Sequence, residues 1–180
     1  IGILILYNLV YRCSKKFIWS IKAIMDRIED ILKTIYLFSK FNEKELSLLA
    51  AKIKKVDLNI HGVLFNEGSA ATSMYVVKYG TLKVTTNSKE GDDVKLTTVA
   101  AGQHLGEFPF LDGEKRSANV EAIEKTELLE LSYKDLSEIL SANKDMELKF
   151  YKELGFFLVK RLRVLTTDIT QARDIKKRYM

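Results

Sequence analysis

Seven of the nine glycines fall between residues 62 and 113: Gly62, Gly68, Gly80, Gly91, Gly102, Gly106 and Gly113. Glycine accepts positive φ without steric cost, so it marks turns. The runs between these glycines favour strands: Val63-Leu64-Phe65, residues 74–77, 82–86 and 94–99. Asn119-Val120-Glu121-Ala122 and residues 127–131 continue the series. Alternation at Leu82/Val84 and at Val94/Leu96 fits strands with one wet face. Strands spaced by about 8–12 residues predict a sandwich or barrel.

The flanks read as helices. Asn42-Glu43-Lys44-Glu45 has the capping-box form, with Phe41 and Leu46 as the apolar staple. A second start lies at Ser132, with Asp135 three residues on. A third helix begins near Asn143. Its apolar positions, Met146, Phe150, Leu154, Phe157, Leu158, Leu162, Leu165 and Ile169, recur three or four apart. A helix of about 30 residues is about 45 Å long and outruns a domain of this size. Its far half needs cover for Leu162, Leu165 and Ile169: a two-stranded coil in a homodimer, or the N-terminal helices of the same chain. The predicted fold is α+β, an antiparallel β-barrel or jelly roll (a double-stranded β-helix) flanked by N-terminal helices and a long C-terminal helix. Its divisions are a helical extension at 1–40, the β domain at 41–140 and the long helix at 141–180.

Apolar residues make up 47% of the chain, enough for a packed core. The net charge of +5 is unevenly spread. Both ends are basic and the middle is acidic, so an anion site in the middle has to be local. Cys13 is the only cysteine, which excludes an internal disulfide and fits a reducing, cytoplasmic setting. The apolar run at residues 1–11 is about half a bilayer span. It reads as an amphipathic packing helix, or as one making weak contact with a membrane surface or a partner. Trp19 reads as packing, Asp92-Asp93 as a solvated turn, and Lys160-Arg161-Leu162-Arg163 and Lys176-Lys177-Arg178 as exposed basic faces. His61 and His104 lack metal-ligand spacing. Phosphate-loop and nucleophile-elbow motifs are absent, so an enzyme is not expected.

The only proline, Pro109, stands in Gly106-Glu107-Phe108-Pro109-Phe110-Leu111-Asp112-Gly113-Glu114-Lys115-Arg116-Ser117-Ala118. Proline suits the first turn of a helix, where its missing amide would be unpaired anyway. A helix start, an arginine and small residues can hold a phosphate. A carboxylate nearby can accept hydrogen bonds from sugar hydroxyls. On spacing alone, Glu107 and Arg116 fit an ordinary ion pair equally well.

Several motifs resemble the cyclic nucleotide-binding domain family, as in bacterial catabolite activator proteins, protein kinase A regulatory subunits and nucleotide-gated channels. Gly62-Val63-Leu64-Phe65-Asn66-Glu67-Gly68 resembles its first glycine turn, and residues 74–84 its hairpin around Gly80. Gly102-Gln103-His104-Leu105-Gly106-Glu107-Phe108 and Arg116-Ser117-Ala118-Asn119-Val120-Glu121-Ala122 resemble the two halves of its phosphate-binding cassette. The resemblance spans residues 37–165 in order. It implies that Glu107 binds a ribose 2′-hydroxyl and Arg116 a cyclic phosphate. Gly106, Phe108, Ser117 and Ala118 would complete the cassette, with Thr166 and Thr167 near the base. Arg-Ser-Ala is closer to cAMP-binding members, with cGMP as the alternative ligand. No cofactor or metal is implied, and the downstream effector is unknown. Relatives that bind DNA carry a helix-turn-helix after the long helix. With Met180 as the last residue, sequence-specific DNA binding by this chain is not expected.

Pro109 departs from the pattern, since binding members usually have Ala or Gly there and use its amide on the phosphate. A hydrogen bond to a charged group contributes about 1.5–3 kcal/mol. Its loss weakens binding about 10–100-fold. Pro109 therefore either starts the cassette helix at tolerable cost or marks a degenerate site in a ligand-independent interaction and dimerisation module.

Overall fold

A computed structural model describes the backbone of residues 27–87 and 93–179 and the side chains of 27–86 and 94–167. The expectations for residues 1–11, Cys13, Trp19, the Asp92-Asp93 turn, Ile169 and the Lys176-Lys177-Arg178 side chains lie outside these limits. The elements are α1 (Ile28–Thr34), a 3-10 turn (Tyr36–Phe38), α2 (Glu43–Ala50), β1 (Lys54–Leu58), β2 (Val63–Phe65) and β3 (Ser73–Tyr79). Then come β4 (Thr81–Asn87), β5 (Asp93–Ala100), β6 (His104–Leu105), α3 (Phe108–Asp112), β7 (Asn119–Ala122) and β8 (Thr126–Ser132). Helices α4 (Tyr133–Ala142) and α5 (Lys144–Tyr179) complete the described chain.

The strands form two four-stranded antiparallel sheets, ordered β1-β8-β3-β6 and β2-β7-β4-β5. The two ladders remain separate, so the sheet is open and the expected barrel is instead a pair of facing sheets. Its edges are blunted by short β2 and β6 and by exposed Lys54 and Lys55 on β1. Those lysines and Asp57 interrupt the apolar pattern, which is why no strand was legible at β1.

Two cores result. Val77, Leu105 and Leu128 from one sheet meet Leu82, Val99, Val120 and Ala122 from the other. On the outer face of the first sheet, Met74, Val76, Leu129 and Leu131 meet Phe38, Phe41, Leu49, Leu136 and Phe150 from the helices. Central strands β3 and β8 thus bury both faces and read as continuous apolar runs. Full burial of Phe38, Phe41 and Phe150 contributes about 1.5–3 kcal/mol apiece.

The predicted caps are present. Asn42 Oδ1 accepts from Glu45 N at 3.0 Å and Glu45 Oε2 accepts from Asn42 N at 2.8 Å. Ser132 Oγ accepts from Asp135 N at 3.0 Å, and Asn143 Oδ1 from Met146 N at 3.2 Å. Helix α5 has 36 residues, about 54 Å. Met146, Phe150 and Leu154 are buried, with Phe157 and Leu158 packed beside them. Beyond that, Leu162 and Leu165 are 64% and 52% exposed. Among the described residues no helix is long and apolar enough to cross a membrane.

Candidate functional site

Arg116 enters the sandwich from the loop before β7. Its backbone is clamped by the β2–β3 connection. Arg116 N donates to Ser69 O at 3.0 Å, and Arg116 O accepts from Gly68 N at 2.8 Å. The side chain is 5% exposed. Nη2 donates to Ser73 O at 2.7 Å and Nη1 to Tyr133 Oη at 3.2 Å. The Tyr133 hydroxyl in turn donates to Gly106 O at 2.5 Å. The guanidinium lies 4.1 Å from the centre of the Phe65 ring, 5.6 Å from Tyr75 and 6.0 Å from Tyr133. Aromatic faces and neutral oxygens stabilise this cation without neutralising it.

Gly106 makes the arrangement possible twice over. Its φ of +80° is costly for any side chain, and a Cβ there would stand 2.6 Å from Arg116 Nη1.

Glu107 occupies the N-cap position of α3 and is 6% exposed. Burial pushes its carboxyl above the ordinary range, opposed by its own backbone amide and by Arg161. Its Oε2 is buried without a hydrogen-bond partner, as is Arg116 Nε. No ion pair joins the two side chains among the described residues, so the ordinary-pair reading is not realised. Phe108 opens α3 and Pro109 follows in its first turn, one place later than expected. Gly113, at φ +72°, closes the helix by donating its amide to Pro109 O at 3.0 Å.

Gly106, Glu107, Phe108, Arg116, Ser117 and Ala118 all line one cavity of about 90 Å³. Thr166 and Thr167 are not brought to it. Both are exposed on α5, with hydroxyls donating to Leu162 O at 2.9 Å and Arg163 O at 3.0 Å. Helix α5 supplies Arg161 to the cavity instead. Sequence reasoning also missed His104, Phe65 and Tyr133 as site residues. The signal for Arg161 was its place four residues after Phe157, on the helix face that meets the sheets. His104 is 8% exposed, and its ring tilts against Phe157 with centres 4.6 Å apart. Burial first, then the Arg161 charge, lowers its pKa to about 4, so the imidazole is neutral at neutral pH.

Comparison with known proteins converges on the same segment. The profile of the cyclic nucleotide-binding domain matches residues 56–143. The chain is 37% identical over 84 residues to the cAMP-activated global transcriptional regulator CRP of Haemophilus influenzae, covering 46% of this chain and 38% of that protein. It is 27% identical over 126 residues to cyclic GMP-binding protein C of Dictyostelium discoideum, covering 70% of this chain and 5% of that one. The chain thus spans well under half of either relative. A solved cyclic nucleotide-binding-like protein from Brucella abortus is 30% identical, with a TM-score of 0.57, covering 64% of this chain and 99% of that one. With two facing sheets, an arginine and a glutamate buried at one cavity, and these matches, the chain belongs to the cyclic nucleotide-binding domain family.

Proposed function

We propose that the cavity binds a cyclic nucleotide, cAMP in the first place and cGMP as the alternative, and that occupancy is transmitted through α5. One observation carries the reading. Glu107 and Arg116 are buried at the same cavity, unpaired with each other, and each keeps a polar atom without a partner. An unsatisfied buried donor or acceptor costs about 1–3 kcal/mol. A ligand bearing an anion beside hydroxyls removes both penalties at once. Arg116 takes the cyclic phosphate, helped by Gly106, Ser117 and Ala118, and Glu107 accepts from the ribose hydroxyl. Phe108 covers the entrance beside them. Arg161 lines the cavity from α5 and Phe157 packs on His104 of the cavity wall, so a ligand that prefers one placement of this helix shifts its population. Thr166 and Thr167 can join only if α5 moves relative to the cassette. The exposed Leu162 and Leu165 suit a homodimer through α5.

Calorimetry on Arg116→Ala tests the reading. Removing the fork forfeits at least two charge-assisted hydrogen bonds, a loss of about 100-fold or more in affinity. Unchanged affinity in a folded variant rejects it. Pro109 supports the rival reading, a ligand-independent dimerisation module. A thermal scan separates the two. At 100 times Kd, cAMP or cGMP adds about 2.7 kcal/mol, a midpoint rise of about 5–10 °C. The rival requires no shift with either nucleotide.

A further inference from the structure

Among the described residues, three buried side-chain atoms have no hydrogen-bond partner: Glu107 Oε2, Arg116 Nε and His104 Nε2. All three residues line the same cavity. The reading above gives the first two a ribose hydroxyl and a phosphate, respectively, and leaves the third without a purpose. We propose that His104 is a further ligand contact, whose ring nitrogen hydrogen-bonds an edge of the nucleobase and sets base preference. This inference rests on the cyclic nucleotide reading.

Three properties of His104 support the assignment. Its place comes first. It sits in β6 just before Gly106 and Glu107, and its ring rests on Phe157 of α5. That is the part of the cavity wall where the helix meets the sheets, and Phe65, Val84 and Val120 supply apolar surface around the same space. Its charge comes second. A neutral imidazole adds no positive charge to a phosphate site already served by Arg116. With one nitrogen donating and the other accepting, it suits the neutral edge of a base. The third is the orphaned atom itself. Packing against Phe157 needs only an aromatic ring, and phenylalanine would do it without sealing an unpaired nitrogen away from water. A polar atom kept at such a place discriminates between ligands, because a base lacking the matching group leaves it unpaired.

Calorimetry of the whole chain with cAMP, cGMP and cCMP tests this in the wild type, His104→Phe and His104→Gln. His104→Phe keeps the contact with Phe157 and removes the hydrogen bond. It is expected to weaken the preferred nucleotide about 5–10-fold, the value of one neutral hydrogen bond, and to change its ratio to the other two. The unliganded melting point should not fall. His104→Gln, which keeps a donor and an acceptor, should stay within about threefold of wild type. Unchanged affinities in His104→Phe overturn the role of His104 and leave the nucleotide reading standing. Equal losses for all three nucleotides place the ring on the shared ribose-phosphate and overturn the base assignment. A loss in His104→Gln as large as in His104→Phe overturns the hydrogen bond. A wild-type chain that binds none of the three fails the nucleotide reading itself, and this inference with it.

Discussion

Glu45 and Glu107 are almost equally hidden, at 4% and 6% exposed, yet they sit in opposite surroundings. Glu45, in the helical layer, accepts from Asn42 N through Oε2 and from Lys149 Nζ at 3.0 Å through Oε1. Both oxygens are used, and Lys149 carries the balancing charge. Glu107, at the end of the sandwich, has Oε2 unpartnered and no ion pair. Glu45 is finished in this sense, since both of its carboxylate oxygens found a partner during folding. The cavity is unfinished by the same accounting, with Glu107 Oε2, Arg116 Nε and His104 Nε2 left without a hydrogen-bond partner. Burial therefore does not tell these two glutamates apart. Satisfaction does.

The largest expected effect is on pH dependence. His104 has an ordinary pKa near 6.5 and a folded value of about 4. As pH falls below about 6.5 the unfolded chain takes up a proton that the folded chain resists. Stability is lost until pH passes the folded value. Across this window the loss is about 3 kcal/mol. Glu107 has the opposite sign. Its folded pKa is raised, so stability is lost as pH rises through its unfolded value and levels off above the folded one. Urea titrations without ligand should show the loss on acidification vanish in His104→Phe and the loss as pH rises through the ordinary glutamate range vanish in Glu107→Gln. Identical pH profiles in wild type and both variants would mean that the cavity groups are solvated, and the contrast with the helical layer would collapse.

A second test exchanges the two glutamates' fates. Glu45→Ala strips the capping box and leaves Lys149 without its buried partner, which should cost about 2 kcal/mol. Glu107→Gln is expected to be neutral or stabilising by about 1 kcal/mol without ligand, because it removes a buried charge that burial disfavours more than Arg161 and the backbone amide favour it. The same variant should lose nucleotide affinity about tenfold, as a charge-assisted acceptor is replaced by a neutral one. A comparable loss of stability in the two variants would erase the distinction.

How much of this was legible in the sequence follows from how locally each feature is specified. The caps at Asn42 and Ser132 involve residues three apart and could be read directly. Strands between glycines showed themselves by alternation, whereas β1 was hidden by its edge lysines and β6 by having only two residues. Glu107 and Arg116 stood out through the family motifs. Phe65, Tyr75 and Tyr133 did not, because the cage around Arg116 exists only once strands distant in sequence are folded together. His104 looked like a lone histidine until α5 placed Phe157 against it. The expectation for Thr166 and Thr167 assumed a helix docked further along. Thr166 lies nine residues, about 13 Å of helix, past Phe157, and the cavity ends at Arg161.

The smallest effect concerns Pro109, and it asks whether the cavity's unmet needs extend to the backbone. In Pro109→Ala a second-position amide appears in the first turn of α3, where no helix carbonyl can accept it. Without ligand it offers only a donor to water, and the alanine chain regains unfolded-state freedom. Stability should therefore fall slightly, by about 0.4–1 kcal/mol. With ligand the new amide can reach the phosphate. Cyclic nucleotide affinity should then rise about tenfold, equivalent to about 1.4 kcal/mol, measured by calorimetry at constant salt. The two changes oppose each other, which makes the result diagnostic. A gain in affinity with a slight loss of stability says that Pro109 attenuates a working site. A loss of stability with no gain in affinity says that the phosphate is held by Arg116 and Ser117 away from α3, and that the proline is there for the turn alone.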